Sequence, residues 1–214
     1  MGFVVAIDGP AASGKGVLAA ALGQALGFPV LDSGLLYRAV GRAVTLAGGD
    51  PGDAELCARA AEALDPTGLD APDLRTAAAG DAASRVAAHP GVRRALLDFQ
   101  RAFAAREPGA ILDGRDIGTA IVPAAPAKLY VTASPEVRAE RRRLQLAERG
   151  EAAPFADILA DIEARDRRDG ERAASPMRAA PDAVLLDTSK MSMEDAFVAA
   201  RRIVEAARAR WESP

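Results

Sequence analysis

The chain has 214 residues, half of them hydrophobic and 27% charged, with a formal net charge of −3. It is long enough to bury a real core as one domain with mobile sub-parts, and its weak acidic balance gives no basic field for nucleic acid. No apolar run reaches the ~18–20 residues a membrane span needs, and the single cysteine, Cys57, excludes an internal disulfide framework. With no basic leader and no cleavage site at the N-terminus, the reading is a mature cytoplasmic protein.

Phe3–Asp8 is a short continuous apolar run, as in a central parallel strand covered on both faces. Gly9–Gly14 interrupts it. A helix is predicted over Lys15–Leu26, with Leu18, Leu22 and Leu26 at helical spacing and Gly27 as its stop. Pro29–Asp32 reads as a second strand and Gly34–Ala47 as a second helix. Asp53–Leu64 predicts a helix and Asp65–Asp70 a loop. Asp73–Ala88 and Pro90–Arg106 predict two helices broken at His89, where proline suits the first turn of the second. Ala110–Asp113 and Lys128–Thr132 are further buried strands. Pro135–Arg149, rich in arginine, and Phe155–Arg168 predict helices. The charged stretch from about Asp166 to Pro181 predicts a loop, Ala183–Asp187 the last strand and Ser192–Arg210 the closing helix. Short apolar strands alternating with helices make an α/β fold, a parallel five-stranded sheet flanked by helices. Cys57, among alanine and leucine, reads as a small core residue and His89 as structural.

Gly9-Pro10-Ala11-Ala12-Ser13-Gly14-Lys15 is a phosphate-binding loop in its proper context, with a strand before it and a helix after. Its glycines let successive N–H groups turn toward phosphate oxygens, and the helix N-terminus adds partial positive charge. Lys15 is one of only three lysines in an arginine-rich chain, and it reaches the β and γ phosphates of a nucleoside triphosphate. Such loops often place Ser or Thr next, as a magnesium ligand; here Gly16 and Val17 follow. Ser13 is a candidate stand-in for the missing hydroxyl.

Leu31–Arg38 follows the second strand and sets Ser33 and Arg38 across a helix start. The serine can bond a base edge and the arginine a phosphate; an N-cap serine with a solvated arginine is the competing reading. Asp113, Arg115 and Asp116 follow a buried strand, and ligands of open α/β sheets bind outside the carboxyl ends of strands.

Taken together, IDGPAASGKG (Ile7–Gly16), LDSGLLYR (Leu31–Arg38), ASRVAAHPGVR (Ala83–Arg93), DGRDIGT (Asp113–Thr119) and RDRRDGERAASPM (Arg165–Met177), in this order, resemble the bacterial cytidylate kinases, P-loop nucleoside monophosphate kinases. The resemblance runs from Val4 to about Leu186. It implies a P-loop NTPase-type core with an NMP-binding insert and a short lid: a single kinase unit with its core in 1–48, 107–134 and 182–214, the NMP-binding region in 49–106, and the lid with its following helix in 135–181. It implies transfer of the γ-phosphoryl group of ATP to CMP or dCMP. In that family Gly at the position of Gly16 is ordinary, but a threonine usually follows where this chain has Val17.

Carried over position by position, the resemblance assigns Ser33, Arg93, Asp116 and Arg172 to the cytosine ring, Arg38 and Arg115 to the acceptor phosphate, and Ser84, Arg165 and Asp169 to the pentose region. Arg138, Arg141, Arg142 and Arg143 on the lid helix cannot all face one way. Arg138 with Arg142, or Arg138 with Arg141, shares a face, and Arg142 and Arg168 are candidates to reach the transferring phosphates. Magnesium would accompany ATP without a direct protein ligand. Asp113 is either the holder of a magnesium-bound water or a structural carboxylate. The Asp65–Asp73 stretch is short and lacks strand alternation, which implies a trimmed insert. The family resemblance implies a monomer. A P-loop kinase for another nucleotide or for shikimate is the nearest alternative. A nucleotide-binding switch is disfavoured because the Asn/Thr-Lys-x-Asp guanine motif is lacking.

Overall fold

Every side chain of Phe3–Asp8 is buried, as a strand must be when helices cover both faces of its sheet. This run is β1, and the computed structural model, which describes residues 2–148 and 150–213, places it at the centre of the sheet. β2 (Val30–Asp32), β3 (Gly109–Gly114), β4 (Ala127–Thr132) and β5 (Val184–Asp187) join it, all parallel, in the order β2-β3-β1-β4-β5. Side chains alternate along β1. Val4 and Ala6 enter one core with Leu36, Val40, Leu112 and Phe103, while Phe3, Val5 and Ile7 enter another with Leu18, Leu22 and Val204. Fully burying each such side chain is worth ~1.5–3 kcal/mol. The first core is covered by α2 (Ser33–Leu46), α3 (Ala54–Glu62), α4 (Ala77–Val86) and α5 (Pro90–Ala104), the second by α1 (Lys15–Leu26) and α8 (Met193–Glu212).

α6 (Pro135–Ala147) and α7 (Phe155–Glu171) lie outside this sandwich and share a small core of their own: Ala139, Leu146, Ile158 and Ile162, with Ala12 of the phosphate loop packed against it. From β1 the chain crosses to β2 on one side of the sheet, and from β3 to β4 on the other. The winding therefore reverses beside β1 and β3, and the crevice at their carboxyl ends is where such folds bind ligands.

Local chemistry moves several predicted boundaries. The single helix expected over Asp73–Ala88 is divided into a 3-10 turn, Pro72–Arg75, and α4. Thr76 separates them with extended backbone, its hydroxyl accepting from Ala79 N–H (3.2 Å) to cap α4. The loop expected from Asp166 is helical as far as Glu171, because α7 continues through the Arg165–Asp169 charges before Arg172 turns extended. Asp32, not Ser33, is the N-cap of α2, and Ser33 is its first residue. The predicted Asp65–Asp70 loop holds a 3-10 turn at Pro66–Gly68, and no strand forms among the described residues there. The predicted end of the arginine-rich helix, Arg149, falls outside the described residues; α6 stops at Ala147. A π-helical turn at Ile117–Ile121 was not anticipated.

Gly9 makes the exit from β1 possible. Its φ is +146°, and a Cβ there would lie 1.9 Å from the Val131 carbonyl oxygen of β4. Gly9→Ala should therefore cost ~3 kcal/mol or more, read as a lowered midpoint in chemical denaturation; an unchanged midpoint would mean that the β1–β4 contact can open without loss.

Candidate active site

After Gly9 the chain turns through Ala12 (φ +59°) and Gly14 (φ +92°), and Gly14 is the N-cap of α1. The free N–H groups at the start of this twelve-residue helix thus face the loop's concavity. Lys15 is folded over that concavity. Its Nζ donates to the Pro10 carbonyl oxygen (3.3 Å) and stands 3.9 Å from Asp113 Oδ1. Burial, with Arg115 nearby, lowers the lysine below its ordinary value against the pull of Asp113 and Asp32. Burial also raises the Asp113 carboxyl, which Lys15 partly offsets. Gly16 is set against the same carboxylate: a Cβ would lie 3.3 Å from Asp113 Oδ2. Val17 is exposed on the first turn of α1, and the Ser13 hydroxyl is fully buried with no hydrogen-bond partner.

The loop carbonyls of Ala11 and Ser13 face α6, which supplies their donors. Arg138, buried, donates to Ala11 O (3.3 Å) and Ala133 O (2.9 Å) and pairs with Asp166 (2.6 Å). Arg141 donates to Ser13 O (3.1 Å) and to the hydroxyl and carbonyl of Thr188 (3.0 and 2.8 Å). Of the two face pairs that the sequence allowed, Arg138 with Arg141 is the one turned to the loop. Arg143 is on the outer side, paired with Glu140.

The residues that the resemblance assigns to the acceptor come together. Ser33, Arg38, Ser84, Arg93, Arg115, Asp116, Arg165, Asp169 and Arg172 line one cleft of ≈ 210 Å³, beside Lys15, Gly16, Asp32, Tyr37 and Asp113. They arrive on α2, α4, α5, α7 and the end of β3. Ser33 Oγ donates to the Asp113 carbonyl oxygen (2.8 Å), fixing the start of α2 on β3. Asp116 is clasped by Arg93 and, at 3.4 Å, by Arg172. The Arg93 guanidinium is 5.8 Å from the centre of the Tyr37 ring. Asp169 accepts from Ser84 Oγ (2.8 Å) and Arg115 Nε (3.3 Å), with Arg165 Nε at 3.8 Å. Burial would push Asp169 up, but Arg115, Arg165, Arg172 and the Ser84 hydroxyl hold it below the ordinary carboxylate value. Burial, with Arg115 close by, brings Arg165 down to about 10. Arg38 donates to Leu74 O (2.7 Å) and Thr76 O (3.1 Å), which joins the cleft to the turn before α4.

The cleft carries six cationic side chains against four carboxylates. The surplus of two positive charges matches a phosphate monoester dianion. Arg142 and Arg168 lie outside this cleft, on an adjoining cavity of ≈ 600 Å³ between α4, α6 and α7 that shares Ala11, Ala12, Arg38 and Arg165 with it. Arg168 pairs with Asp81 (2.8 Å) and donates to Ser84 Oγ (3.2 Å).

Sequence reasoning missed three supports: Thr188, the bracing duty of Arg138 and Arg141, and Asp8. Asp8 accepts from Ile117 N–H (2.7 Å) and Gly118 N–H (2.8 Å). Burial, together with the charges of Asp116 and Asp113, pushes it up to about 7 despite these two bonds. A signal existed: an ionisable side chain ending a wholly apolar strand must be met by donors. Among the described residues no group of three or more His, Cys, Asp or Glu is placed to cage a metal. Asp113 Oδ1 is buried without a hydrogen-bond partner at the mouth of the phosphate loop. That pattern fits Mg2+ held chiefly by phosphates and water, with one carboxylate behind it.

The chain is similar to known proteins along its whole length. The family model described as cytidylate kinase matches residues 5–208. A cytidylate kinase of Caulobacter sp. is 61% identical over 214 residues, covering 100% of this chain and 99% of that one. One from Xanthobacter autotrophicus is 60% identical, covering 97% and 99%, and one from Rhodopseudomonas palustris 55%, covering 97% and 98%. A crystal structure of an uncharacterized protein from Eubacterium ventriosum shares the fold alone, with a TM-score of 0.54 at 13% identity, covering 97% of this chain and 99% of that one. A phosphate loop of this form, a charged cleft at the carboxyl ends of β1 and β3, and a family match across nearly all the chain lead to one conclusion: the chain belongs to the cytidylate kinase family.

Proposed function

We propose that this enzyme transfers the γ-phosphoryl group of ATP to CMP or dCMP, giving CDP or dCDP. The observation that carries the reading is the single cleft in which Lys15 of the phosphate loop meets Asp116 and Asp169, each held by arginines. An oxygen of the acceptor phosphate bonds to the γ phosphorus as the bond from that phosphorus to the bridging oxygen breaks, and ADP leaves with the electron pair. The nucleophile is already anionic, so no general base is needed, and catalysis is positioning with charge neutralisation.

Gly9–Val17 is the ATP-binding segment in this reading. Arg38 and Arg115 hold the acceptor phosphate. Asp116 and Ser33 read the amino edge of cytosine, with Arg93 and Arg172 supporting Asp116; uracil would set a carbonyl oxygen against the carboxylate. Ser84, Arg165 and Asp169 hold the pentose. Mg2+ supplies charge neutralisation to the ATP phosphates when bound, and Asp113 would hold it through water. Residues 49–106 form the acceptor-binding region and 135–181 the lid, on a core of 1–48, 107–134 and 182–214. Closure of the lid would carry Arg142 and Arg168 from the adjoining cavity toward the phosphates and exclude water. The same reading makes the protein a cytoplasmic monomer. Among its described residues, no helix is long and apolar enough to cross a membrane.

Lys15→Ala should lower kcat by ~100-fold or more while circular dichroism stays native; near-normal turnover would overturn the assignment. Asp116→Ala should reduce the preference for CMP over UMP in kcat/KM by ~10–100-fold, measured in a coupled assay across CMP, dCMP, UMP, AMP and shikimate. The lowered Lys15 has a consequence with pH. The ammonium must be charged to hold phosphate, so kcat/KM for ATP should fall on the alkaline side, below the ordinary lysine range of ~10.4. Lys15→Arg should lose that limb from whatever activity it keeps, because a guanidinium does not titrate there.

A further inference from the structure

Asp116 stands at the N-cap of the π-helical turn Ile117–Ile121, where an aspartate ordinarily accepts from the first free N–H groups of its own turn. Here its side chain makes no such bond. Its carboxylate faces Arg93 and Arg172 in the cleft, and the N–H groups of Ile117 and Gly118 donate to Asp8, one to each oxygen, at 2.7 and 2.8 Å. The parallel register makes this reach possible, since Asp8 is paired with Gly114 at the end of β3, two residues before Asp116. A Cβ on Gly118 would be tight only against Lys128 Cδ, at 3.2 Å, and in ordinary contact with Asp8 Oδ2, at 3.4 Å. Asp8 is itself buried, and the two backbone N–H groups meet both of its oxygens there.

A carboxylate cannot both fold back over its own turn and face two guanidinium groups across a cleft. We infer that Asp8 is a positioning residue: by capping the Ile117–Ile121 turn from the neighbouring strand, it frees the Asp116 carboxylate for the acceptor base and so sets the discrimination between cytosine and uracil. The inference rests on the reading of Asp116 as the residue that meets the base. A merely structural Asp8 would affect stability or all substrates alike. A positioning Asp8 affects the choice of base while leaving ATP binding in place, although Gly9 of the phosphate loop is its immediate neighbour.

The test compares Asp8→Asn, Asp116→Ala and the double variant by kcat/KM for CMP and for UMP, KM for ATP, and thermal melting. The amide in Asp8→Asn keeps one acceptor oxygen and sets its NH2 against the other N–H. The CMP-over-UMP ratio should fall about tenfold, KM for ATP should stay within about twofold of wild type, and Asp8→Asn should add no further loss of discrimination to Asp116→Ala. Asp8→Glu, which keeps the charge but moves both oxygens out by one methylene, should lower the ratio in the same direction and decides the matter if Asp8→Asn does not fold. An unchanged ratio in a folded Asp8→Asn or, failing that, in Asp8→Glu, beside a lost ratio in Asp116→Ala, overturns the positioning role alone. So does a loss confined to KM for ATP. An unchanged ratio in Asp116→Ala removes the base-reading role and the Asp8 inference with it.

Discussion

A carboxylate taken out of water has to be met by donors or cations, because an unpaired buried charge costs several kcal/mol. At the carboxyl end of this sheet four aspartates are buried within one region: Asp8, Asp113, Asp116 and Asp169. Each is met differently, and the differences organise the cleft. Asp8 takes backbone N–H groups and fixes a turn. Asp113 faces the Lys15 ammonium at 3.9 Å through Oδ1, which has no hydrogen bond. Asp116 takes two arginines, one from α5 and one just past the end of α7. Asp169 takes a serine and two arginines and ties α7 to α4 and to the end of β3.

Buried ion pairs of this kind are poor sources of stability, since desolvation consumes most of the Coulomb attraction. The two apolar cores on either side of the sheet supply the stability instead. The charges are better understood as preorganisation. In the proposed reading, the groups assigned to phosphate and base are already held by the fold, which would lower the reorganisation required when substrate binds. Their imbalance toward positive charge leaves room for an anionic partner.

The phosphate loop shows the same economy in its backbone. Buried carbonyls need donors, and Arg138, Arg141 and Thr188 provide them for Ala11 and Ser13 while Lys15 meets Pro10. The base of α6 is therefore anchored to the loop and α7 is tied to α4 and the end of β3, while the apolar core that the two helices share is small and reaches the phosphate loop at Ala12. The cavity beside the pair holds Arg142 and Arg168.

The apolar run of β1, the glycines at 9 and 14 and the order of motifs determined the sheet class, the phosphate loop and the family resemblance by themselves, because periodicity and loop chemistry are local. The acceptor-side residues were named through that resemblance, and the tertiary structure shows them lining one cleft. Sequence could not decide which arginines face which carboxylate, since guanidinium groups on α5, α6 and α7 have several acidic partners in reach until packing fixes the helices. Arg138 and Arg141 thus turn out to brace the loop, while Arg142 lines the cavity. Nor could it show that Thr76 cuts a helix in two or that α7 continues through Asp169, since capping by a side chain competes with helix continuation by amounts near 1 kcal/mol. Asp8 is the clearest case. Its donors lie more than a hundred residues away in sequence, and only the pairing of β1 with β3 brings a buried carboxylate to the turn it caps.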